Sequence, residues 1–145
     1  HVLLGTPVED GDFGPGPQQG AAKEIVVSVS AQYMWVYENG QLILETYVST
    51  GVGDIPETTT PLGYYSIHTK YDVQDMEGFL GGEYYFVDDV PYVMYFDNLG
   101  NALHGTYWHN TFGAPMSHGC VNLPMDVAAF MYEWAPIGTA VSVIA

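Results

Sequence analysis

The sequence predicts a mainly β protein, a sandwich or barrel that carries one short helix. Between residues 24 and 144 the chain breaks into short β-branched and aromatic segments, separated by Gly, Pro and Asn. Only one segment, residues 126–134, shows a helical period of apolar residues. The 145 residues are 48% hydrophobic, which is enough for a core without disulfides or metals and excludes a disordered chain. We therefore expect one folded domain.

The first half of this domain begins with a predicted hairpin. Residues 24–30 form a β-branched run, and residues 32–38 are mostly aromatic or aliphatic. Asn39-Gly40 follows, the dipeptide that most favours a two-residue type I′ turn. Residues 41–49 then return as the partner strand, and a loop rich in turn-forming residues occupies positions 50–60.

The middle of the chain has a weaker pattern. Residues 64–69 are predicted as a strand, as are residues 92–96 and 101–105. Between them, residues 71–91 mix Asp, Gly and aromatic residues without a clear period, and Gly81-Gly82 interrupts them. We interpret this segment as a long flap-like excursion.

The predicted helix lies close to the carboxyl end. Pro124 stands near its start, and Pro136 stops it. Its apolar residues recur at i, i+3, i+4 and i+7 and so share one face: Val127, Phe130, Met131 and Trp134. Residues 139–144 are predicted as the closing strand.

The amino-terminal residues have a different composition. Residues 1–22 include a Gly-, Pro- and Gln-rich stretch without periodicity, which indicates a flexible tail or linker. We place the folded domain at residues 23–145. No apolar run approaches the length of a transmembrane helix, so we expect no membrane insertion of this chain.

The charge is strongly negative. Two Lys, no Arg and 17 acidic residues give a net charge of −15. This excludes nucleic acid and anionic lipid as natural partners, because both are bound through Lys and Arg. A negative field favours cationic partners such as amines, although the charge could also serve only solubility.

The most informative residue is Cys120, the one cysteine in the chain, within the run Ser117-His118-Gly119-Cys120-Val121-Asn122. A single cysteine excludes an internal disulfide and leaves a packed thiol, a metal ligand, an intermolecular bridge or a nucleophile. A thiol is mostly protonated at neutral pH, so a nucleophilic cysteine needs a base such as His. His104-Gly105 lies upstream, and spacing alone leaves both His104 and His118 open as that base.

A zinc site is the competing interpretation of the same residues. Nitrogen and sulfur ligands suit zinc, and four candidates are present: His104, His109, His118 and Cys120. Their spacing matches no familiar zinc-binding pattern, so we expect no metal.

The motif resembles that of the L,D-transpeptidase catalytic domain, a family of cysteine enzymes that cross-link bacterial peptidoglycan. The family pattern is His-Gly, a dozen or so residues, then Ser/Thr-His-Gly-Cys, an aliphatic residue and Asn or Arg. Other segments over residues 23–145 resemble the family as well: Val48-Ser49-Thr50-Gly51, Thr60-Pro61-Leu62-Gly63-Tyr64-Tyr65, the stretch at 91–96, and Gly138-Thr139-Ala140-Val141. The resemblance implies the family's β-sandwich, with the helix after the cysteine loop and a flap at residues 71–91.

The resemblance also implies roles for individual residues. Cys120 would be the nucleophile and His104 the general base, its imidazole oriented by the backbone carbonyl of Gly105. His118 and Gly119, with Cys120, would offer backbone N–H groups to an oxyanion. The remaining implied residues build the loop or bind substrate: Ser117, Asn122, Tyr92 and Met94. Asn122 stands where many relatives have Arg.

The implied reaction is acyl transfer between peptidoglycan stem peptides. Cys120 would attack the carbonyl between the L-centre at position three and D-Ala at position four, and an amine would then form a 3→3 cross-link. Water as acceptor would give an L,D-carboxypeptidase, and a wall-binding module of the same fold or a cysteine endopeptidase are further alternatives. No cofactor is implied. The location implied is extracellular or in the bacterial cell envelope, with any targeting segment outside this sequence.

Overall fold

Two β-sheets pack face to face in the computed structural model, which describes residues 14–51, 59–80, 83–117 and 119–145. The protein is mainly β with a single described helix, as the sequence predicts. The sheets share one apolar core, which takes residues from both sheets and from the helix. The fold is therefore a sandwich.

The first sheet has the strand order β3-β2-β1-β9-β4. Its strands are β1 (Lys23–Ser28), β2 (Tyr33–Glu38), β3 (Gln41–Tyr47), β4 (Gly63–Ser66) and β9 (Ala140–Ile144). The turn between β2 and β3 has positive φ at both central residues, 52° at Asn39 and 81° at Gly40. That geometry is the type I′ turn which the Asn-Gly pair predicts.

The second sheet has the order β5-β6-β7-β8 and carries the cysteine motif. Its strands are β5 (Thr69–Leu80), β6 (Glu83–Tyr95), β7 (Ala102–Gly105) and β8 (Val121–Leu123). β7 and β8 run parallel, with Leu103 opposite Val121 and His104 opposite Asn122. The short strand β8 was not predicted, because its three residues are too few to show a period.

The flap-like excursion is more regular than its sequence predicts. Its described residues, 71–80 and 83–91, lie in β5 and β6, which pair as antiparallel strands, so the flap-like excursion consists of two paired strands. The register shifts between Gln74 and Met76, and Asp89 has a positive φ of 51°. These irregularities break the alternation of apolar and polar residues, which explains why the sequence shows no strand period.

The helix α1 (Met125–Trp134) packs on the core side of the second sheet. Val127 and Met131 are buried, as the predicted apolar face requires. Both lysines of the chain cap its carboxyl end: Lys23 Nζ donates to the Trp134 carbonyl at 2.6 Å, and Lys70 Nζ donates to those of Tyr132 and Ala135 at 2.6 and 2.8 Å. Cations at this end complement the helix dipole.

The segment before β1 makes specific contacts where it is described. Gln18 and Gln19 donate backbone N–H groups to the buried carboxylate of Glu24, at 2.5 and 3.0 Å. The Gln19 side chain also donates to the carbonyl of Tyr65 at 3.0 Å. The domain boundary at residue 22 stays a prediction.

Candidate active site

Parallel pairing of β7 with β8 brings the predicted site residues to one face of the second sheet. Leu103 and Val121 point into the core between the sheets. Side chains alternate along a strand, so His104 and Asn122 point to the opposite face. Cys120 directly precedes β8, and its thiol accepts a hydrogen bond from the backbone N–H of Ala102, the residue two before His104. Thiol and imidazole therefore share a face on neighbouring strands.

His104 is held in one tautomer. Its Nδ1 lies 2.9 Å from the carbonyl oxygen of Gly105, which can only accept, so Nδ1 carries the proton and Nε2 is a free base. The residue is 2% exposed, and its ring packs against Trp108 with centroids 5.6 Å apart. Burial is the main cause that lowers the pKa of His104 to about 4; the hydrogen bond to the Gly105 carbonyl opposes this shift, and nearby His109 contributes to it. The imidazole is therefore neutral at physiological pH.

Cys120 is partly buried beside an apolar cluster of Val90, Val93 and Ala102. This desolvation raises the pKa of the thiol to about 11, and the charge of Asp97 adds to the effect. Sγ lies 3.9 Å from the carbonyl oxygen of Gly100, to which the S–H group donates. The resting pair is therefore a neutral thiol and a neutral imidazole rather than a thiolate and an imidazolium.

The loop before Cys120 is fixed by hydroxyl groups. Ser117 donates its Oγ–H to the carbonyl of Cys120 and accepts the N–H of Gly119 at 3.2 Å. Thr60 Oγ1 accepts the N–H of Gly51 at 2.8 Å and donates to the carbonyl of Gly119 at 2.6 Å. Gly119 has φ +129°, in the region that favours glycine. His118, also predicted for this loop, lies outside the described residues.

Asn122 is paired with a histidine that the sequence analysis considered only as a zinc ligand. His109 Nδ1 accepts the N–H of Thr111 at 3.0 Å, so the neutral ring carries its proton on Nε2. That nitrogen lies 3.0 Å from the side-chain amide of Asn122. We assign the amide oxygen of Asn122 to this contact, because an oxygen can accept the Nε2 proton of His109. With the amide turned the other way, the buried Oδ1 of Asn122 has no hydrogen-bond partner.

Met94, one of the residues implied to bind substrate, lies elsewhere in the fold. Met94 is fully buried in the core between the sheets, on the face opposite His104, because it pairs with Leu103. This placement corrects the predicted groove contact of Met94. Tyr92 is partly buried and packs against Tyr132 of the helix, with ring centroids 5.7 Å apart. Its contact with substrate stays a prediction.

Several residues of the site were missed or given no role in it. Thr60 orders the cysteine loop, Trp108 covers the base, and His109 orients Asn122. Asp97, in the turn between β6 and β7, is buried, and its charge acts on the thiol. Only Thr60 had a usable signal, because it opens the Thr-Pro-Leu-Gly segment. The others act through long-range contacts.

A metal site finds no support in the described part of the chain. Among those residues, no group of three or more His, Cys, Asp or Glu is arranged to hold a metal ion. No described helix has the length and apolar character to cross a lipid bilayer.

Comparison with known proteins identifies the family. The family model of the L,D-transpeptidase catalytic domain matches residues 22–143, which is 122 of the 145 residues. The chain belongs to the L,D-transpeptidase catalytic domain family. No curated protein matches it by sequence.

Solved L,D-transpeptidases share the fold. The enzyme from Mycobacterium smegmatis is 28% identical, with a TM-score of 0.77 over 87% of this chain and 60% of its own. An L,D-transpeptidase in complex with imipenem is 27% identical, with a TM-score of 0.76 over 85% of this chain and 59% of its own. The catalytic domain of the Enterococcus faecium enzyme is 30% identical, with a TM-score of 0.73 over 84% of this chain and 96% of its own. The chain thus spans about 60% of the first two proteins.

Proposed function

We propose that the protein is an L,D-transpeptidase that forms a thioester on Cys120 and acts on peptidoglycan stem peptides. The observation that carries this proposal is the tautomer of His104. Its Nδ1 is engaged by the Gly105 carbonyl, which leaves Nε2 as a base on the face that carries the thiol. Membership of the family supplies the substrate class. The place of action would be the bacterial cell envelope.

Acylation follows from the protonation states of the two groups. As the Sγ of Cys120 attacks the carbonyl between positions three and four of the stem, its proton passes to Nε2 of His104. The tetrahedral intermediate collapses, the C–N bond breaks, and the protonated imidazole returns that proton to the leaving amine of D-Ala. Because the resting pair is neutral, deprotonation and attack would be coupled rather than stepwise.

The developing oxyanion would be met by backbone N–H groups of the cysteine loop. The Gly119 N–H donates to Ser117 Oγ at 3.2 Å, a long bond that the oxyanion could replace. Cys120 and His118 would contribute the other donors of this proposed oxyanion hole.

Deacylation decides between a transferase and a hydrolase. An amine of a second stem would attack the thioester, lose a proton to His104, and release the thiol with a 3→3 cross-link. Water in place of the amine would release a tripeptide, which is L,D-carboxypeptidase activity. The net charge of −15 would favour approach of a cationic amine over that of an anionic competitor.

The decisive experiment is incubation with a disaccharide–tetrapeptide, followed by intact-protein mass spectrometry, with Cys120→Ala alongside. An acyl adduct on the wild type alone, with release of D-Ala, is the expected result. Cross-linked dimer then indicates transpeptidase activity, and tripeptide alone indicates carboxypeptidase activity. A folded protein with a free thiol but no adduct would favour a wall-binding module. Imipenem, which a relative binds, serves as a second acylating probe.

His104→Ala and His118→Ala form a matched pair for the identity of the base. We expect His104→Ala to lose about two to four orders of magnitude in acylation rate, as removal of a general base does. His118→Ala should retain most of the rate if its backbone alone contributes. If His118→Ala instead loses the larger part of the acylation rate, His118 is the base and His104 is not.

A further inference from the structure

The turn between β6 and β7 contains a buried carboxylate that the proposed reaction does not use. Asp97 is 6% exposed. Its Oδ1 accepts the backbone N–H groups of Leu99 and Asn101, both at 2.9 Å, and its Oδ2 accepts Asn101 Nδ2 at 2.7 Å. The Phe96 N–H closes the turn on the Asn101 carbonyl at 3.1 Å. A carboxylate bonded this fully by neutral donors fixes the shape of the turn.

This turn contacts the nucleophile loop at two points. Gly100, with φ +87°, places its carbonyl oxygen 3.9 Å from the thiol of Cys120. The Asn101 side chain lies so close to Gly119 that a Cβ built there would meet Asn101 Oδ1 at 2.3 Å. Because Nδ2 of Asn101 is bound to Asp97, the oxygen of the same amide must face Gly119.

We propose that Asp97 is a positioning residue for the nucleophile: through the turn that it organises, its carboxylate holds the Gly100 carbonyl and the Asn101 amide against the loop that carries Cys120. The proposal deepens the proposed function and rests on it for the reaction that the positioned thiol performs.

The charge of Asp97 gives this arrangement a second consequence. The described groups around the thiol include Asp97 from the turn, the Gly100 carbonyl, His104 on the same face of β7, and the apolar cluster of Val90, Val93 and Ala102, against which Tyr95 also packs. With His104 neutral, Asp97 is the one charge identified among them as acting on the thiol, and a nearby negative charge disfavours thiolate. Burial is the larger cause of the raised pKa of the Cys120 thiol, and the charge of Asp97 adds to it, while the turn keeps Sγ in position.

Two variants separate the charge of Asp97 from the contact that it organises. Asp97→Asn removes the charge and weakens the turn, whereas Asn101→Ala removes the link to Gly119 and leaves the carboxylate. Glu133→Gln is the matched control, since it removes one negative charge from an exposed position on the helix. Two rates are measured for each: alkylation of Cys120 by iodoacetamide as a function of pH, and acylation by the tetrapeptide and by imipenem.

Asp97→Asn should change the two rates in opposite directions. The alkylation midpoint is the pH at which the alkylation rate is half its maximum; we expect it to fall by a fraction of a pH unit, so that alkylation below the midpoint is about two- to threefold faster. Its acylation should be about tenfold slower, because the thiol loses its position. A purely structural role would slow acylation without lowering the midpoint. Asn101→Ala should acylate slowly with an unchanged midpoint, and Glu133→Gln should match the wild type.

Two results would overturn the proposal: an alkylation midpoint of Asp97→Asn equal to that of the wild type, or acylation of Asn101→Ala at the wild-type rate. If Asp97→Asn does not fold, as judged by circular dichroism, Asn101→Ala decides by itself. If the wild type is acylated by neither probe, the proposed function fails. Alkylation, which needs no substrate, then still decides whether Asp97 acts on the thiol.

Discussion

Replacing Gly105 with alanine tests how the packing of the helix and the position of the base depend on each other. The Gly105 carbonyl holds His104, while its Cα faces the core. An added Cβ would lie 3.0 Å from Met125 Sδ, 3.1 Å from Pro91 Cγ and 3.2 Å from Ala128 Cβ. The sulfur of Met125 can move, but the proline ring and the helix residue are fixed. Helix and strand must therefore separate by a few tenths of an ångström.

The expected cost can be worked from these contacts. Overpacking of this kind costs about 1–3 kcal/mol, which lowers the melting temperature of a domain of this size by roughly 3–10 °C. A displaced carbonyl also reorients the imidazole, and a misplacement approaching 1 Å can cost about a hundredfold in rate. We expect the imidazole of His104 to move by less than this, and the acylation rate therefore to fall about tenfold.

The assay combines thermal unfolding by circular dichroism with acylation followed by intact mass. Gly40→Ala is the control, because Gly40 has φ +81° but open space around it. That variant should lose about 1 kcal/mol or more through backbone strain and still acylate at the wild-type rate. If Gly105→Ala melts and acylates like the wild type, the coupling of helix packing to the base is refuted.

Three further predictions concern the histidines and one lysine. The unfolded state binds a proton at His104 more readily than the folded state, so stability should fall by about 3 kcal/mol as pH drops from about 6.5 to 4. In thermal melts, His104→Gln should lose this part of the dependence of stability on pH. If the variant and the wild type show the same dependence, His104 is not a neutral buried imidazole. His109→Ala should leave the buried amide of Asn122 without this partner, which costs about 1–3 kcal/mol of stability, and should slow acylation about tenfold. Unchanged kinetics would leave His109 without a role. Lys70→Met removes two charge-assisted bonds to the helix carboxyl end and should destabilise the fold by about 1–3 kcal/mol in urea titrations.

The sequence predicts the first sheet well because its signals are local. The β2–β3 hairpin follows from Asn39-Gly40, and the helix follows from its apolar period and the prolines around it. The hairpin of β5 and β6 was missed because its register shift at Gln74 breaks the alternation on which strand prediction depends.

The site was predictable only in part, for a similar reason. Cys120 and His104 belong to a compact motif, and the parallel pairing of their strands puts them on one face. Asp97 and His109 carry no local signal, because they act through contacts that only the folded chain creates. Met94 shows the opposite error: its motif suggested a groove, while its position opposite Leu103 on β6 directs it into the core.

The two lysines at the end of the helix have a consequence for the acyl transfer to an amine that we propose for this site. A thioester reacts with any free amine within reach, including those of its own protein. Lys23 and Lys70 are the only amine side chains in the sequence, and both are bound to backbone carbonyls and lie over aromatic rings, of Trp134 and Tyr132. The chain would therefore offer the proposed acyl-enzyme no free lysine, which would protect it from self-acylation and leave the thioester to a substrate amine or to water.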